Sequence, residues 1–205
     1  MRILVACEES QAVTKEFRAL GHEAYSCDII ECSGGHPEWH IQGDVREVLD
    51  EHWDMIIAFP PCTYMSKAGA RWMFPKAGQL SQERFQKAME AKEFFNLFYS
   101  HSCEMIAIEN PRPLKVVGLP APAQVIQPYE FGHPYSKATC LWLKGLPKLR
   151  PTEILDGYQP YLPSNTGGFS RGNGGSRGVA HDAVTASKTF PGIAKAMATQ
   201  WGGKL

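Results

Sequence analysis

Asp54-Met55-Ile56-Ile57-Ala58-Phe59, followed directly by Pro60-Pro61-Cys62, is the stretch that decides how this chain folds. Apart from its leading aspartate the run is apolar and of strand length, as expected for a strand buried on both faces of a sheet. The two prolines close it, because proline cannot donate to a ladder. A cysteine is thereby delivered just past the end of a buried strand.

Outward from this strand, strand-like and helix-like stretches alternate through the first 110 residues, the pattern of a parallel sheet covered by helices. Arg2 to Ala6 reads as the first strand. Gln11 to Leu20 carries Val13, Phe17 and Leu20 at helical spacing and stops at Gly21, and Glu23 to Asp28 reads as the second strand. Ser81 caps a long helix from Gln82 to about Ser100, with Phe85, Met89, Phe94, Phe95 and Phe98 on its core side. Met105 to Glu109 is the next strand, ending in Asn110 and Pro111. Pro60-Pro61-Cys62 and Glu109-Asn110-Pro111 thus both follow the carboxyl ends of parallel strands, the edge where open α/β sheets bind ligands.

The second half is less regular. Strands are expected in Gln124 to Gln127 and Thr139 to Leu143, and Pro191 to Trp201 resumes helical periodicity with proline in the first turn. Residues 164–178 hold six glycines and read as a flexible loop carrying Arg171 and Arg177. No internal repeat is evident. At 205 residues and 43% hydrophobic composition, the chain is expected to form one domain over residues 1–205.

Lys plus Arg equals Asp plus Glu, at 21 each, so no global positive field announces a nucleic acid, and any such contact must come from a local basic face. No apolar run approaches the ~20 residues of a membrane span and no signal peptide opens the chain, so a cytoplasmic protein is expected. The six cysteines are scattered rather than arranged as a disulfide scaffold, and reduced thiols are the default.

A thiolate at one strand end and a carboxylic acid at the next suit attack on carbon 6 of a pyrimidine. Carbon 5 accepts a methyl group only after a nucleophile adds at carbon 6 and makes it enamine-like. Cys62 would be that nucleophile, and Glu109, its pKa raised by burial, would protonate ring nitrogen 3. The plainer alternatives are an inert cysteine at a strand end and a glutamate at a surface loop.

Ile56 to Cys62 (IIAFPPC) followed by Ile106 to Pro111 (IAIENP) resembles the Pro-Cys and Glu-Asn motifs of the DNA cytosine carbon-5 methyltransferases. The resemblance implies a Rossmann-like fold dependent on S-adenosylmethionine, a mostly parallel sheet with helices on both faces. It makes Cys62, Glu109 and Asn110 catalytic and DNA the partner. It also reads Val5 to Gln11 as the cofactor loop, including Cys7, Glu8 and Glu9. Asp28 with Ile29 would lie at the ribose and Asp44 with Val45 at the adenine, with Pro60 beside the cofactor. Thr189 to Ala198 is similar to the family's last motif.

Glu8, Glu9 and Ser10 stand where the family usually shows glycines. No arginine occurs in Gln127 to Thr139, where the family carries one against the base, so Lys137 or His133 would substitute. The remaining residues leave no room for a separate recognition domain, as in the compact forms found among bacteriophage genes. Amino-group methyltransferases place Asp or Asn before Pro-Pro-aromatic; Phe59 and Cys62 in those places argue against that chemistry. Two alternatives stay open: the same carbon-5 chemistry on RNA or a free nucleotide, and a catalytically silent binding protein.

Some signals are weaker. Cys27, Cys32, His36 and His40 have the identities of zinc ligands, but the pairs lie too close together, so no metal is expected and the histidines are assigned to a surface loop. Arg171 and Arg177 are candidates for tracking phosphate. Lys67, Arg71, Trp72 and Lys76 form a basic-aromatic segment after Cys62 that could close over an extruded base. Nothing in the sequence speaks to oligomeric state.

Overall fold

The structure, a computed structural model, describes residues 1–162 and 187–203. Its centre is a seven-stranded sheet in the order β3-β2-β1-β4-β5-β8-β6. The strands are β1 (Arg2–Ala6), β2 (Glu23–Asp28), β3 (His40–Gln42), β4 (Met55–Ala58), β5 (Met105–Pro111), β6 (Gln124–Ile126) and β8 (Thr139–Lys144). The first five run parallel, and β8 is antiparallel to both β5 and β6. A two-residue strand β7 (Tyr135–Ser136) pairs with β9 (Gln159–Pro160) outside it.

Alternation along the strands divides the core into two layers. Leu4, Ala6, Ile56, Ala58, Ile106 and Ile108 point to one face, where helix α3 (Gln82–Tyr99) lays Ala88, Phe95 and Phe98. Ile3, Val5, Met55, Ile57 and Ala107 point to the other, covered by α1 (Ala12–Ala19) through Val13 and Phe17 and by α4 (Pro191–Met197) through Ile193, Ala194 and Met197. Each fully buried Ile, Leu or Phe contributes roughly 1.5–3 kcal/mol relative to exposure, so the sheet centre is the best-anchored part of the molecule. This is the Rossmann-like α/β architecture, wound on both faces, with the switch of direction between β1 and β4.

The local signals hold where they are strong. Ser81 caps α3, its Oγ accepting from the Arg84 N–H, and Pro191 occupies the first turn of α4, which runs on into a π-helical turn at Ala198–Gly202. Gly192 lets α4 seat against the chain after β6: a side chain there would be driven into the Phe131 carbonyl. A short helix α2 (Ala70–Met73) lies in the segment after Cys62.

Two expectations are corrected. β5 does not stop at Glu109 but carries Asn110 and Pro111, paired with Cys140 and Thr139 of β8. His40 opens β3 instead of sitting in a loop, its ring bonded to Ser26 Oγ at 2.8 Å and to the Ile30 carbonyl at 3.0 Å. His36 stacks on Trp39. Among the described residues no three His, Cys, Asp or Glu side chains gather as a metal site, and no helix is long and apolar enough to cross a membrane. The glycine-rich stretch 164–178, with Arg171 and Arg177, lies outside the described residues.

Candidate active site

β4 and β5 are paired only as far as Ala58 and Ile108, so β5 outruns its parallel neighbour by Glu109, Asn110 and Pro111. The chain leaving β4 turns at Pro60-Pro61-Cys62 alongside this overhang. Asn110, buried in the sheet, donates from Nδ2 to the Pro60 carbonyl at 2.8 Å, while its Oδ1 is buried without a partner among the described residues. The Cys62 carbonyl accepts from the Met65 and Ser66 N–H groups, which makes a tight turn of the backbone that carries the thiol. Farther on, Lys67 N–H donates to the Arg112 carbonyl and Leu114 N–H to that of Met65. The segments that carry Cys62 and Glu109 are therefore tied together by hydrogen bonds between the two strand exits.

Burial raises the Cys62 thiol above its ordinary range; Glu109 raises it further and Lys137 opposes. Burial likewise pushes the Glu109 carboxyl up, again with Lys137 opposing. Cys140, opposite Asn110 on β8, is raised by burial, with Arg112 and Lys67 pulling it down and Glu109 pushing it up. A half-buried lysine thus reaches both the Cys62 thiol and the Glu109 carboxyl electrostatically, although it comes from the link between β7 and β8. Glu109 stays protonated at higher pH than a surface carboxylate, the state that donates a proton. Removing the cation should move Cys62 farther from ionisation, so Lys137→Met is expected to shift the thiol-dependent rise in reactivity to higher pH. The pH profile of Cys62 alkylation reads this, and an unmoved profile would separate Lys137 from the site.

The carboxyl edge of β1 and β2 forms the neighbouring region. Cys7 has a left-handed backbone (φ 59°) and donates its N–H to the Cys27 carbonyl at 2.7 Å. Its thiol is raised mainly by burial and then by Asp28, Cys27 and Asp44, and that of Cys27 is pushed up to about 11 by burial, Asp28 and Asp44. Asp28, half-buried, accepts only weakly from the Ile30 N–H at 3.3 Å, and Ile29 beside it is 73% exposed. An accepting carboxylate next to an exposed apolar side chain fits the hydroxyls and the flat face of an adenosine group. Asp44 is partly occupied, with Oδ1 accepting from the Arg46 N–H and Oδ2 paired to the Arg46 guanidinium at 2.9 Å.

Two residues of the expected cofactor set have other tasks. Glu8 is fully buried, its carboxylate accepting from the Val13 N–H at 2.6 Å, the Thr14 N–H at 3.2 Å and the Thr14 hydroxyl at 2.7 Å. It satisfies open N–H groups at the start of α1, where a helix favours negative charge, and both its oxygens are engaged there. Val45 packs in the core below the sheet edge. Glu9 faces Lys188 across 3.8 Å, joining the first loop to the segment before α4. Glu8→Ala is expected to cost about 1–3 kcal/mol, since three hydrogen bonds to the carboxyl are lost and buried donors are stranded; urea unfolding measures it.

The sequence reading missed Gln11, Arg84 and Arg112. Gln11 also adopts a left-handed backbone (φ 56°), and its buried side chain bonds Ser26 Oγ and both the carbonyl and the N–H of His36, pinning the loop before β3. Arg84 Nη2 donates to the Thr63 carbonyl at 2.8 Å, bracing the residue after Cys62 from α3. Arg112 had a visible signal, a cation directly after Glu-Asn-Pro. His133 is excluded as the base-facing substitute, because its Nε2 accepts from the Gly192 N–H at 2.9 Å.

No protein-family profile matches the chain, and no curated protein does. Among solved structures it is similar to a prophage-encoded E. coli protein described as a DNA modification methyltransferase, at 15% identity and TM-score 0.46 over 75% of this chain and 51% of that one. It is also similar to the Dnmt2 methyltransferase of S. pombe, at 14% identity and TM-score 0.42 over 72% and 50%. A Spodoptera frugiperda DNMT2 mutant aligns at 15% identity and TM-score 0.38 over 79% and 55%. The chain spans about half the length of these structures. The activities in those descriptions belong to those proteins.

Proposed function

We propose that this chain is an S-adenosylmethionine-dependent methyltransferase that modifies carbon 5 of cytosine in DNA, with Cys62 as covalent nucleophile and Glu109 as proton donor. The observation that carries this is the overhang of β5, which sets a carboxyl disposed to stay protonated beside a thiol on the next strand exit. Cys62 gives its proton to solvent, helped by the positive charge of Lys137, and Sγ bonds to carbon 6 of the ring. The electrons of the carbon 5–carbon 6 double bond move into the ring as Glu109 delivers its proton to nitrogen 3. Asn110 keeps the Pro60 carbonyl, and so the turn bearing Cys62, in place. S-adenosylmethionine, when bound, supplies an electrophilic methyl group. Asp28, Ile29 and the backbone at Cys7 would hold it, with Asp44 and Glu9 at the margin. Loss of the carbon-5 proton then lets Sγ leave and restores the ring, and Glu109 recovers its proton from nitrogen 3.

The test is to incubate the chain with methyl-labelled S-adenosylmethionine and duplex DNA, then digest the DNA to nucleosides. Label in 5-methyldeoxycytidine is expected. Label on an exocyclic amine would overturn the carbon-5 chemistry. Label in RNA or free cytidine nucleotides, and none in DNA, would overturn the assignment of substrate.

A further inference from the structure

Charge in this neutral chain is segregated around Cys62. Between Asp54 and Glu83 there is no acid, while Lys67, Arg71 and Lys76 occur; between Glu109 and Glu130 there is again none, while Arg112 and Lys115 occur. The fold joins these two acid-free segments. The Lys67 N–H donates to the Arg112 carbonyl, the Leu114 N–H to that of Met65, and Ser66 bridges Pro113. Lys67, Arg71 and Arg112 are exposed, so their charges add on one side of the site without neutralisation along the chain.

An aromatic element stands in the same patch. Trp72 is 50% exposed, which is unusual for so large an apolar side chain. It is nevertheless held: the Arg71 guanidinium lies 3.9 Å from its ring centroid and that of Arg84 5.4 Å, with Arg84 also 5.0 Å from the ring of Tyr64. Arg84 is fixed in turn by its bond to Thr63. A braced, exposed indole amid cations drawn from acid-free segments matches the two features of a nucleic-acid strand, spaced phosphates and flat bases.

We infer that Lys67, Arg71 and Arg112, with Trp72, form a docking surface for a DNA strand, the cations tracking phosphates and the indole stacking on a base. This deepens the function proposed above by naming the surface that meets the polymer, and it rests on that proposal for the choice of DNA.

Binding of labelled single-stranded and duplex DNA is measured without cofactor across a salt series, using the full chain. The paired variant Lys67→Gln/Arg112→Gln should bind more weakly, with the log–log salt slope reduced by about 2, since each lost phosphate contact removes roughly 0.9. Trp72→Ala should weaken single-strand binding by about 5- to 150-fold with little change in slope, the range of one lost stacking contact. A control pair of equal charge, Lys148→Gln/Lys195→Gln, should leave the slope unchanged. The inference is overturned if Lys67→Gln/Arg112→Gln binds like the parent, or if the control pair reduces the slope equally; circular dichroism verifies that each variant is folded. Because no reaction occurs in this assay, a reduced slope with no methyl transfer would sink the carbon-5 proposal and leave the surface standing, and the converse result would do the reverse.

Discussion

Cys62→Ser is expected to abolish the denaturation-resistant adduct that the parent should form with DNA containing 5-fluorocytosine, and to lower methyl transfer by at least about 10⁴-fold. Fluorine at carbon 5 blocks the elimination step, so the bond from Sγ to carbon 6 survives gel electrophoresis in denaturant. A serine hydroxyl at the same turn is far harder to ionise, and burial with a neighbouring carboxyl already disfavours an anion there. Cys140 is the internal control, since it too is a thiol near Glu109 but is buried on β8. An adduct that persists in Cys62→Ser and disappears in Cys140→Ser would move the nucleophile to β8. If the parent forms no adduct although it binds S-adenosylmethionine and DNA, covalent catalysis is wrong.

Glu109→Gln should lower turnover by about 10²- to 10⁴-fold, the usual contribution of a positioned proton donor. The pH dependence distinguishes this from simple damage. In the parent, reactivity rises with pH as the Cys62 thiol ionises and falls as Glu109 loses its proton; both groups are displaced upward, so the optimum lies on the alkaline side of the ordinary carboxylate range. Glutamine has no proton to lose, so the falling limb should vanish. At pH values where Glu109 would be ionised, its charge no longer opposes the thiolate, so alkylation of Cys62, which needs no proton donor, should shift to lower pH, opposite to Lys137→Met. Stability gives a second readout. A carboxyl with a raised folded pKa stabilises the fold fully below its unfolded value, and that contribution is lost as pH rises through the folded one. Glu109→Gln should therefore gain stability relative to the parent above that range while losing activity, a combination that mere misfolding does not produce. Urea unfolding at acid and alkaline pH measures it.

Much of the fold was legible because its signals are local. RILVA and EAYSCD match β1 and β2 to the residue, and Ser81 before an amphipathic stretch gave α3 within one residue at its end. β3 was not legible: three residues carry no period, and what makes them a strand is pairing with Ser26 to Asp28. Proline at 111 misplaced the end of β5, because a proline can stand as the last residue of a strand whose parallel neighbour has already stopped. At the site, the resemblance of the two motifs is what names Cys62, Glu109 and Asn110 as candidates, while the lack of an arginine after Gln127 leaves Lys137 and His133 both open until the fold commits His133 to the Gly192 N–H. Glu8 was misread, since an acid after a first strand looks the same whether it meets a ligand or reaches five residues on to cap the next helix. The opposed charges of Arg46 and Lys188 against Asp44 and Glu9 were equally invisible, as both depend on how loops fold over one another.

The division between the turn bearing Cys62 and the cations around it bears on how such a protein can evolve. The turn hangs from two of the most deeply buried strands, where almost any change is paid for in stability. The acid-free segments are solvent-exposed at Lys67, Arg71 and Arg112, and a substitution there alters what the surface attracts with little effect on the core. If the proposed roles hold, selection can retune partner preference by small surface steps while the reacting atoms stay fixed. The positions proposed to meet the polymer and those proposed to make the bond would then be separately heritable.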